Sequence, residues 1–204
     1  MAELAPTRSA ALALADERQV IRQGYDFLDE KRMLLAAEMV RALARYRDLG
    51  DEWNRTAAIA AEHLGRAIAG HGLDGVESWP PLRRDEARIV RDETPFLGVT
   101  LLSATCEAPR FALAFPAIGH AAEIEAARGS FADLVAIGVE LAAMAASLER
   151  LIEDYKKTER RARALENVLL PDINAALKRI VEHLEMVEQE EAIRVRKAAD
   201  RQGR

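Results

Sequence analysis

Two long stretches, one near each end of the chain, repeat apolar or small residues at steps of three and four. The first runs from Arg8 to Ala69 and the second from Phe131 to Val195. This spacing lines the apolar side chains along one face of an α-helix, and so long a stripe needs a second stripe to cover it. We therefore expect a mainly α fold, in which the N- and C-terminal helices form a long antiparallel two-helix coiled coil.

The expected contact seam between these helices consists of the larger apolar and aromatic residues of both stripes. They are Leu28, Leu35, Tyr46, Trp53, Leu165, Leu169, Ile173, Leu177 and Leu184. Aromatic residues make up only 5% of the chain and charged residues 31%, which is typical of long helices rather than of wide globular cores. A pair of helices offers little concave surface, so we do not expect an active site in it.

The sequence divides into three parts that we expect to form one structural unit. They are an N-terminal helix over residues 1–69, a small central region over 70–129 and a C-terminal helix over 130–204. The central region holds five of the seven prolines and six of the eleven glycines, and this composition interrupts helices.

Local signals set these boundaries. Pro6 and Thr7 fit a helix start, and Gly70-His71-Gly72 fits a helix stop. Ser130 followed by Asp133 resembles a capping box, so we expect the second helix to begin there.

The central region carries the pattern of a short β-hairpin, over about residues 87–103. β-Branched and aliphatic residues in Arg88–Arg91 and Val99–Leu102 flank the segment Asp92–Gly98. That segment predicts a loop rather than a two-residue turn. A third apolar piece, Phe111–Phe115, fits either a strand or a packing loop.

Pro171 lies within the second apolar stripe. A proline has no amide to donate to the carbonyl of Asn167, and inside a helix it costs up to ~3 kcal/mol and produces a kink. The stripe nevertheless continues from Leu165 and Leu169 to Ile173. We therefore predict one helix that is bent at Pro171.

The sequence offers no support for a cofactor, metal site or catalytic centre. The four histidines are scattered without ligand spacing, and no phosphate-binding glycine loop is present. Cys106 is the only cysteine, which excludes an intrachain disulfide and fits a reducing compartment. It is expected to be a small half-buried side chain, and an enzyme acting through Cys106 is the weakest alternative.

Charge and hydropathy point away from nucleic acid and membrane insertion. The 29 basic and 34 acidic residues nearly balance, and no apolar run approaches the roughly 18 residues of a membrane span. The charges are banded, with a basic block between Lys156 and Arg163 that precedes an acidic block between Glu182 and Glu191. These bands fit a solvated helix face, or complementary charges on a neighbouring protein.

Several segments are specific enough to indicate a family. They are Pro6-Thr7-Arg8, Gly24-Tyr25-Asp26-Phe27-Leu28 with Lys31-Arg32, the hairpin segment Phe96-Leu97-Gly98-Val99 and, above all, Arg161-Ala162-Arg163-Ala164-Leu165-Glu166-Asn167-Val168-Leu169-Leu170-Pro171. In these segments and in the order of its parts, the chain resembles the D subunit of the V-type and archaeal-type rotary ATPases.

This resemblance implies a central rotor shaft with no catalytic residue of its own. Such a shaft transmits torque between ATP hydrolysis or synthesis in a hexamer and proton or sodium transport across the membrane. The implied partners are the catalytic and non-catalytic A and B subunits of the hexamer, the small rotor F subunit and a membrane-side rotor subunit of the C or d type. The implied location is cytoplasmic, peripheral to the membrane. The alternative is a coiled-coil scaffold or tether unrelated to ATPases.

The resemblance also assigns roles to individual residues. Pro171 would supply the bend that makes the shaft asymmetric, or a bend that only improves helix packing. Gly24 would allow close approach of the opposite helix, or is simply a tolerated small residue. Asp172 departs from the family pattern, in which a basic residue is expected. The candidate partner contacts are Phe96, Leu97, Gly98, Val99, Arg160, Arg161 and Arg163.

Overall fold

The computed structural model describes residues 7–79, 88–107 and 122–202. The elements in chain order are α1 (Arg8–Glu77), β1 (Arg88–Phe96), β2 (Val99–Glu107), α2 (Ala122–Ala164), a π-helical turn (Leu165–Leu169) and α3 (Leu170–Gln202). The prediction of a mainly α fold, with a long helix near each end and a β-hairpin in the middle, is confirmed.

The chain divides into two compact units, whereas the sequence predicts one. The first unit combines Met1–Leu34 with Tyr155–Arg204, and the second is Leu35–Asp154. Helix α1 contributes to both units, because Leu34 and Leu35 lie inside it.

The first unit is an antiparallel helix pair. Ala10 and Leu14 of α1 form an apolar cluster with Ile180 of α3, and Arg8 at the start of α1 forms an ion pair with Glu188. Residue numbers on the second helix therefore fall as those on the first rise. The apolar stripes predicted from the sequence explain this pairing.

The second unit pairs α1 and α2 in the same antiparallel sense. His63 hydrogen-bonds to Ser130, with 2.6 Å between Nδ1 and Oγ, and Ala67 packs against Ile124. The hydroxyl of Ser130 already donates to the carbonyl of Ala126, so it accepts its second bond from His63 Nδ1–H. A buried polar contact therefore accompanies the apolar ones.

Helix α1 begins and breaks where the sequence indicates. The hydroxyl of Thr7 accepts a hydrogen bond from the amide of Ala10 at 3.2 Å, which is the contact of an N-cap residue. Gly72 has φ +69° and ψ 170°, so the regular helix breaks at the predicted stop before a short continuation to Glu77. Glycine tolerates this left-handed conformation, which other residues adopt only with strain.

Helix α2 begins at Ala122, eight residues before the predicted start at Ser130. Ser130 does not cap the helix. Its hydroxyl donates to the carbonyl of Ala126 at 2.8 Å, four residues earlier, which is the back-bond of a serine inside a helix. Glu123 and Glu125 lie in the first turn, where negative charge complements the helix dipole.

The hairpin is tighter than predicted. Phe96 pairs directly with Val99, so Leu97-Gly98 is a two-residue turn and the prediction of a longer loop is wrong. Both turn residues have positive φ, 49° for Leu97 and 86° for Gly98, as the type I′ turn requires. The sequence does not favour this turn, because leucine rarely adopts positive φ. The apolar piece Phe111–Phe115 lies outside the described residues.

Helix α2 covers the outer edge of β2. Ser147, which is only 4% exposed, accepts a hydrogen bond from the amide of Leu102 at 2.7 Å and donates one to the carbonyl of Leu102 at 2.9 Å. Arg150, one turn later, donates to the carbonyl of Thr100 at 2.9 Å. These bonds satisfy backbone groups that face away from β1, so the hairpin is attached to the helix through its backbone.

Candidate functional site around the π turn

Across residues 7–79, 88–107 and 122–202, no group of three or more histidine, cysteine, aspartate or glutamate side chains could hold a metal ion. Cys106 is a half-buried thiol on β2, paired across the hairpin with Ile89. The most distinctive backbone feature of the described helices lies just before Pro171.

The turn before Pro171 is a π turn. The amide of Leu170 donates to the carbonyl of Leu165, five residues back, instead of to Glu166 as in an α-helix. Pro171 has no amide for Asn167. The carbonyls of Glu166 and Asn167 thus both lose their usual helical donors, and both residues are exposed. The wider turn also relieves the clash between the proline ring and the preceding turn.

The four-residue steps of the apolar stripe are a sequence signal for this turn. Leu165, Leu169, Ile173 and Leu177 follow one another at three consecutive steps of four. In an α-helix of 3.6 residues per turn, each such step drifts about 40° around the axis, so the stripe would leave the partner helix. One wider turn absorbs this drift. The sequence-based prediction used this periodicity to expect one helix bent at Pro171, but it did not include the π turn.

The two segments most indicative of the family face each other across the first unit. Gly24 of α1 lies opposite Leu165 of the π turn, and Tyr25 interacts with Glu166. The negative charge of Glu166 is the main cause that raises the pKa of Tyr25 above its ordinary 10.0, and desolvation adds to it. Tyr25 therefore stays neutral and can donate its hydroxyl proton to the carboxylate of Glu166.

Gly24 does not need to be a glycine on steric grounds. A Cβ added at Gly24 would lie 3.7 Å from Cδ1 of Leu165, an ordinary van der Waals distance. The close approach that the resemblance suggests for Gly24 is therefore not required by this packing.

The residues of the expected seam lie at different depths. Leu35 is fully buried and Ile173 is 7% exposed. Half-buried positions are Leu28, Tyr46, Leu165, Leu177 and Leu184. Trp53 is 36% exposed and Leu169, inside the π turn, is 42% exposed, so both lie at the margin of the stripe.

The expected seam omits several well-buried positions. Leu151 is fully buried, as are Ala60 and Ala67, and Ser147 and Thr158 are each 4% exposed. Leu151 belongs to the second apolar stripe, so its burial could have been predicted from the sequence. The alanines, Ser147 and Thr158 are small residues whose burial depends on the partner helix, which a single helical pattern does not specify.

The candidate partner contacts fall into two separate groups. At the hairpin turn, Val99 is buried, Phe96 is half-buried and Leu97 is 40% exposed. The basic group lies on the part of α2 that belongs to the first unit. There Arg163 forms an ion pair with Glu159 at 2.7 Å, and Arg160 donates to the carbonyl of Lys156. The remaining residues, Gly98 and Arg161, are exposed.

One helical stretch, Ala122–Ala199, contains an 18-residue window with a mean hydropathy of 1.8. It is long and apolar enough to cross a membrane, which the sequence-based prediction did not include. Length and composition do not by themselves place a helix in a membrane, because helices with other roles meet the same criterion.

Paired long helices and a central two-stranded hairpin define a mainly α-helical fold. Comparison with known families is more specific. The family model of the ATP synthase D subunit matches residues 10–200, so the chain belongs to the ATP synthase D subunit family.

Individual relatives match over nearly their full length. The chain is 28% identical to an A-type ATP synthase D subunit from Methanoregula boonei, over 96% of this chain and 95% of the relative. It is 25% identical to a V-type ATP synthase D subunit from Thermotoga neapolitana, over 98% of this chain and 99% of the relative. An A-type ATP synthase D subunit from Haloquadratum walsbyi is 26% identical over 96% of this chain and 85% of its own length.

Proposed function

We propose that this chain is the non-catalytic central rotor subunit of a V/A-type ATP synthase. It transmits torque between ATP hydrolysis or synthesis in a catalytic hexamer and proton or sodium transport across the membrane. The observation that carries the proposal is the family match over residues 10–200, together with relatives that align almost end to end. Because the match covers both long helices and the hairpin, the proposal concerns the whole chain.

The packing within each unit supports a role in transmitting torque. A shaft must resist separation of its helices, and the fully buried Leu35 and Leu151 supply apolar burial in the second unit. In the first unit, the cluster of Ala10, Leu14 and Ile180 joins α1 and α3. In this proposal the nine expected seam residues act together as the load-transmitting contact.

The proposed partners follow from the same assignment. They are the A and B subunits of the hexamer, the small F subunit and a membrane-side rotor subunit of the C or d type. The many exposed apolar side chains fit a protein that is covered by partners; Phe27 is 67% exposed and Val195 68%. The complex would be peripheral to the cytoplasmic face of the membrane, and this chain would need no cofactor.

We assign Pro171 and the π turn the role of shaping the shaft. The turn interrupts the regular surface of one helix only, which makes the two sides of the pair unequal. An asymmetric cross-section lets a rotating shaft present different surfaces to successive hexamer subunits. Glu166 and Asn167 are exposed and their carbonyls lose the usual helical donors, which adds an uncommon feature to that surface.

Reconstitution tests the proposed function. The purified chain should show no ATPase activity alone, should bind a hexamer of A and B subunits from its own source, and should couple ATP hydrolysis to ion transport in the complete complex. A chain without affinity for the hexamer would contradict the proposal. Self-association without hexamer binding would favour the scaffold or tether instead.

A further inference from the structure

The hairpin has one covered edge and one open edge. Helix α2 covers the outer edge of β2 through Ser147 and Arg150. Strand β1 is exposed along its whole length up to Pro95. Within residues 7–79, 88–107 and 122–202, the sheet contains only β1 and β2, so no third strand pairs with β1. An open strand edge presents backbone donors and acceptors to other extended chains.

The register of the hairpin identifies the backbone groups on the open edge. Glu93 pairs with Leu102, whose amide and carbonyl bond to Ser147 and not to β1. Glu93 is therefore in a non-hydrogen-bonded pair, and its own amide and carbonyl point away from β2. The same holds two and four residues earlier, for Arg91 and Ile89, because the two kinds of pair alternate along an antiparallel ladder.

The part of this edge that can both donate and accept is short. The side chain of Asp92 accepts a hydrogen bond from the amide of Glu93 at 3.0 Å, and Pro95 has no amide to donate. In the described part of the chain, the outward amides and carbonyls of Ile89 and Arg91 have no partner. The open stretch is therefore centred on Val90, which lies between these two residues.

The side chains around Val90 are complementary to those of a second copy of the same strand. When two β1 strands pair antiparallel about Val90, Ile89 lies opposite the second copy's Arg91, and the two residues exchange backbone hydrogen bonds. Val90 then faces its own counterpart, and Arg88 faces Asp92 on both sides of the two-fold axis. Arg88 and Asp92 are exposed, and among the described residues neither forms an ion pair.

Charge also disfavours the neighbouring registers. A pairing centred on Arg91 would place this arginine opposite its own counterpart, and a pairing centred on Asp92 would do the same with two carboxylates. Like charges directly opposite each other destabilise a strand pair. The charge pattern of β1 therefore favours the register centred on Val90 over these two.

We propose that the open edge of β1 binds the same edge of a second copy of this chain, with a two-fold axis at Val90, so that the free chain forms a dimer. The complementarity of Arg88 and Asp92 favours a second copy over a strand of unrelated sequence. The few backbone hydrogen bonds and one apolar contact make a small interface, which is typical of weak and reversible association. The inference concerns the chain outside any complex and does not rest on the proposed function.

Sedimentation equilibrium of the full-length chain measures this association. We expect the wild-type chain to pass from monomer to dimer between about 10 μM and 1 mM, as small interfaces do. Arg88→Asp and Asp92→Arg each place like charges opposite each other twice, so either variant alone should raise the dimer Kd about tenfold. An equimolar mixture of the two variants restores opposite charges at both positions. It should form a heterodimer with a Kd within about threefold of the wild-type value.

A matched control makes the same two charge reversals away from the hairpin. Arg47→Asp and Asp48→Arg lie on an exposed part of α1 and should each change the dimer Kd less than about threefold. Circular dichroism should show the same helicity for all variants.

A backbone variant and hydrogen exchange give a second readout. Arg91→Pro removes an amide that points away from β2, as Pro95 does, so it should keep the hairpin and weaken the dimer. In the wild-type chain, the amides of Ile89 and Arg91 should exchange more slowly as the protein concentration rises. The amide of Thr94 faces β2 and should be protected at every concentration.

Three outcomes would overturn the inference. They are a chain that stays monomeric at about 1 mM, a dimer whose Kd is unchanged by both charge reversals, and a mixture of the two variants that does not recover association. Protection of the Ile89 and Arg91 amides that appears only when another protein is added would assign the edge to that protein instead, and would also overturn it. Binding of the wild-type chain to the A and B hexamer is measured separately and decides the proposed function.

Discussion

The two units build the same antiparallel helix pair in different ways. In the second unit, fully buried leucines and buried serines combine: Leu151 is completely covered, and Ser147 bonds the hairpin backbone to α2. The first unit has its buried cluster near the start of α1, at Ala10 and Leu14. Further along it carries a π turn, a tyrosine–glutamate contact and an arginine-lined groove.

The two units therefore differ in how much of their surface is available to partner proteins. Where apolar burial and backbone bonds are complete, as around Leu151 and Ser147, the surface mainly stabilises the chain. At the π turn, Glu166 and Asn167 are exposed and their carbonyls lose the usual helical donors, so this surface can take part in contacts with other molecules. Substitutions should therefore affect stability most around Leu151 and Ser147.

The largest effect is expected in the second unit, at Leu151. Leu151→Ala should lower the free energy of unfolding by about 2–5 kcal/mol, because it removes a fully buried side chain and leaves a cavity. Chemical denaturation measures this change. The control Leu12→Ala, at a side chain that is 68% exposed in the first unit, should change it by less than about 0.5 kcal/mol. Equal changes in the free energy of unfolding at Leu151 and Leu12 would contradict the expected difference between the two units.

The next largest loss of stability is expected on substitution of Ser147. Ser147→Ala leaves the amide and the carbonyl of Leu102 without the hydroxyl that now bonds both, at a cost of about 1–3 kcal/mol. Hydrogen exchange at the Leu102 amide should accelerate, whereas Ser147→Thr, which keeps a hydroxyl, should retain much of the protection. Ser103→Ala, at an exposed position of β2, is the control. An unchanged exchange rate of the Leu102 amide in Ser147→Ala would show that α2 does not stabilise the outer edge of β2.

Substitution of Pro171 tests whether the proline or the periodicity of the apolar stripe produces the π turn of the first unit. Because the four-residue steps of the apolar stripe require a wider turn, we expect the π turn to persist in Pro171→Ala. The new amide can bond a carbonyl that now lacks its helical donor, so the free energy of unfolding should rise by about 1 kcal/mol. Denaturation gives the stability, and a crystal structure of the variant shows the turn. Reversion to a regular α-helix would identify Pro171 as the sole cause.

Substitution of Gly24 and of Gly72 by alanine should change the free energy of unfolding in opposite directions. Gly24→Ala should raise the free energy of unfolding by up to about 1 kcal/mol, because the position is helical and a Cβ fits at 3.7 Å from Leu165. Gly72→Ala should lower it, since φ is +69° there. Thermal denaturation of both variants provides the comparison, and destabilisation by Gly24→Ala would restore the close-approach interpretation.

The smallest effect concerns the pH dependence of the first unit. The folded-state pKa of Tyr25 is raised above its ordinary 10.0, chiefly by Glu166. A raised pKa means that the stabilising contribution is present below pH 10.0 and is lost as pH rises through the folded-state value. Wild-type stability should therefore fall more steeply above pH 10.0 than that of Tyr25→Phe, as denaturation in alkaline buffers would measure. Parallel curves for the two proteins would exclude the Tyr25–Glu166 contact.

Periodicity predicted much of this fold because it reports the face of each helix that must be covered. The stripes indicated both long helices and their pairing, and Gly72 breaks α1 at the predicted stop. The start of α2 was missed because Ser130 carries a capping signal yet bonds back to Ala126 within the helix. A serine hydroxyl can do either, and only the conformation of the preceding residues decides between them.

The details of the candidate site depended on contacts that a single sequence does not encode. The turn at Leu97-Gly98 places a leucine at positive φ, against its local preference, because the paired strands on either side impose that conformation. The groove of Arg18 and Arg22 required knowing which residues of α3 lie beside α1. The family segments did indicate Tyr25 and Glu166, although not that they would meet.

Direct observation of rotation tests the central claim. A probe would be attached to the thiol introduced by Arg91→Cys in a Cys106→Ser background, because Arg91 is exposed on β1 and Cys106 is the only native cysteine. The chain would be assembled with an immobilised A and B hexamer and supplied with ATP. If this chain is the rotor subunit, the probe turns continuously in one direction while ATP is hydrolysed. A probe that stays fixed on a hexamer actively hydrolysing ATP would contradict it.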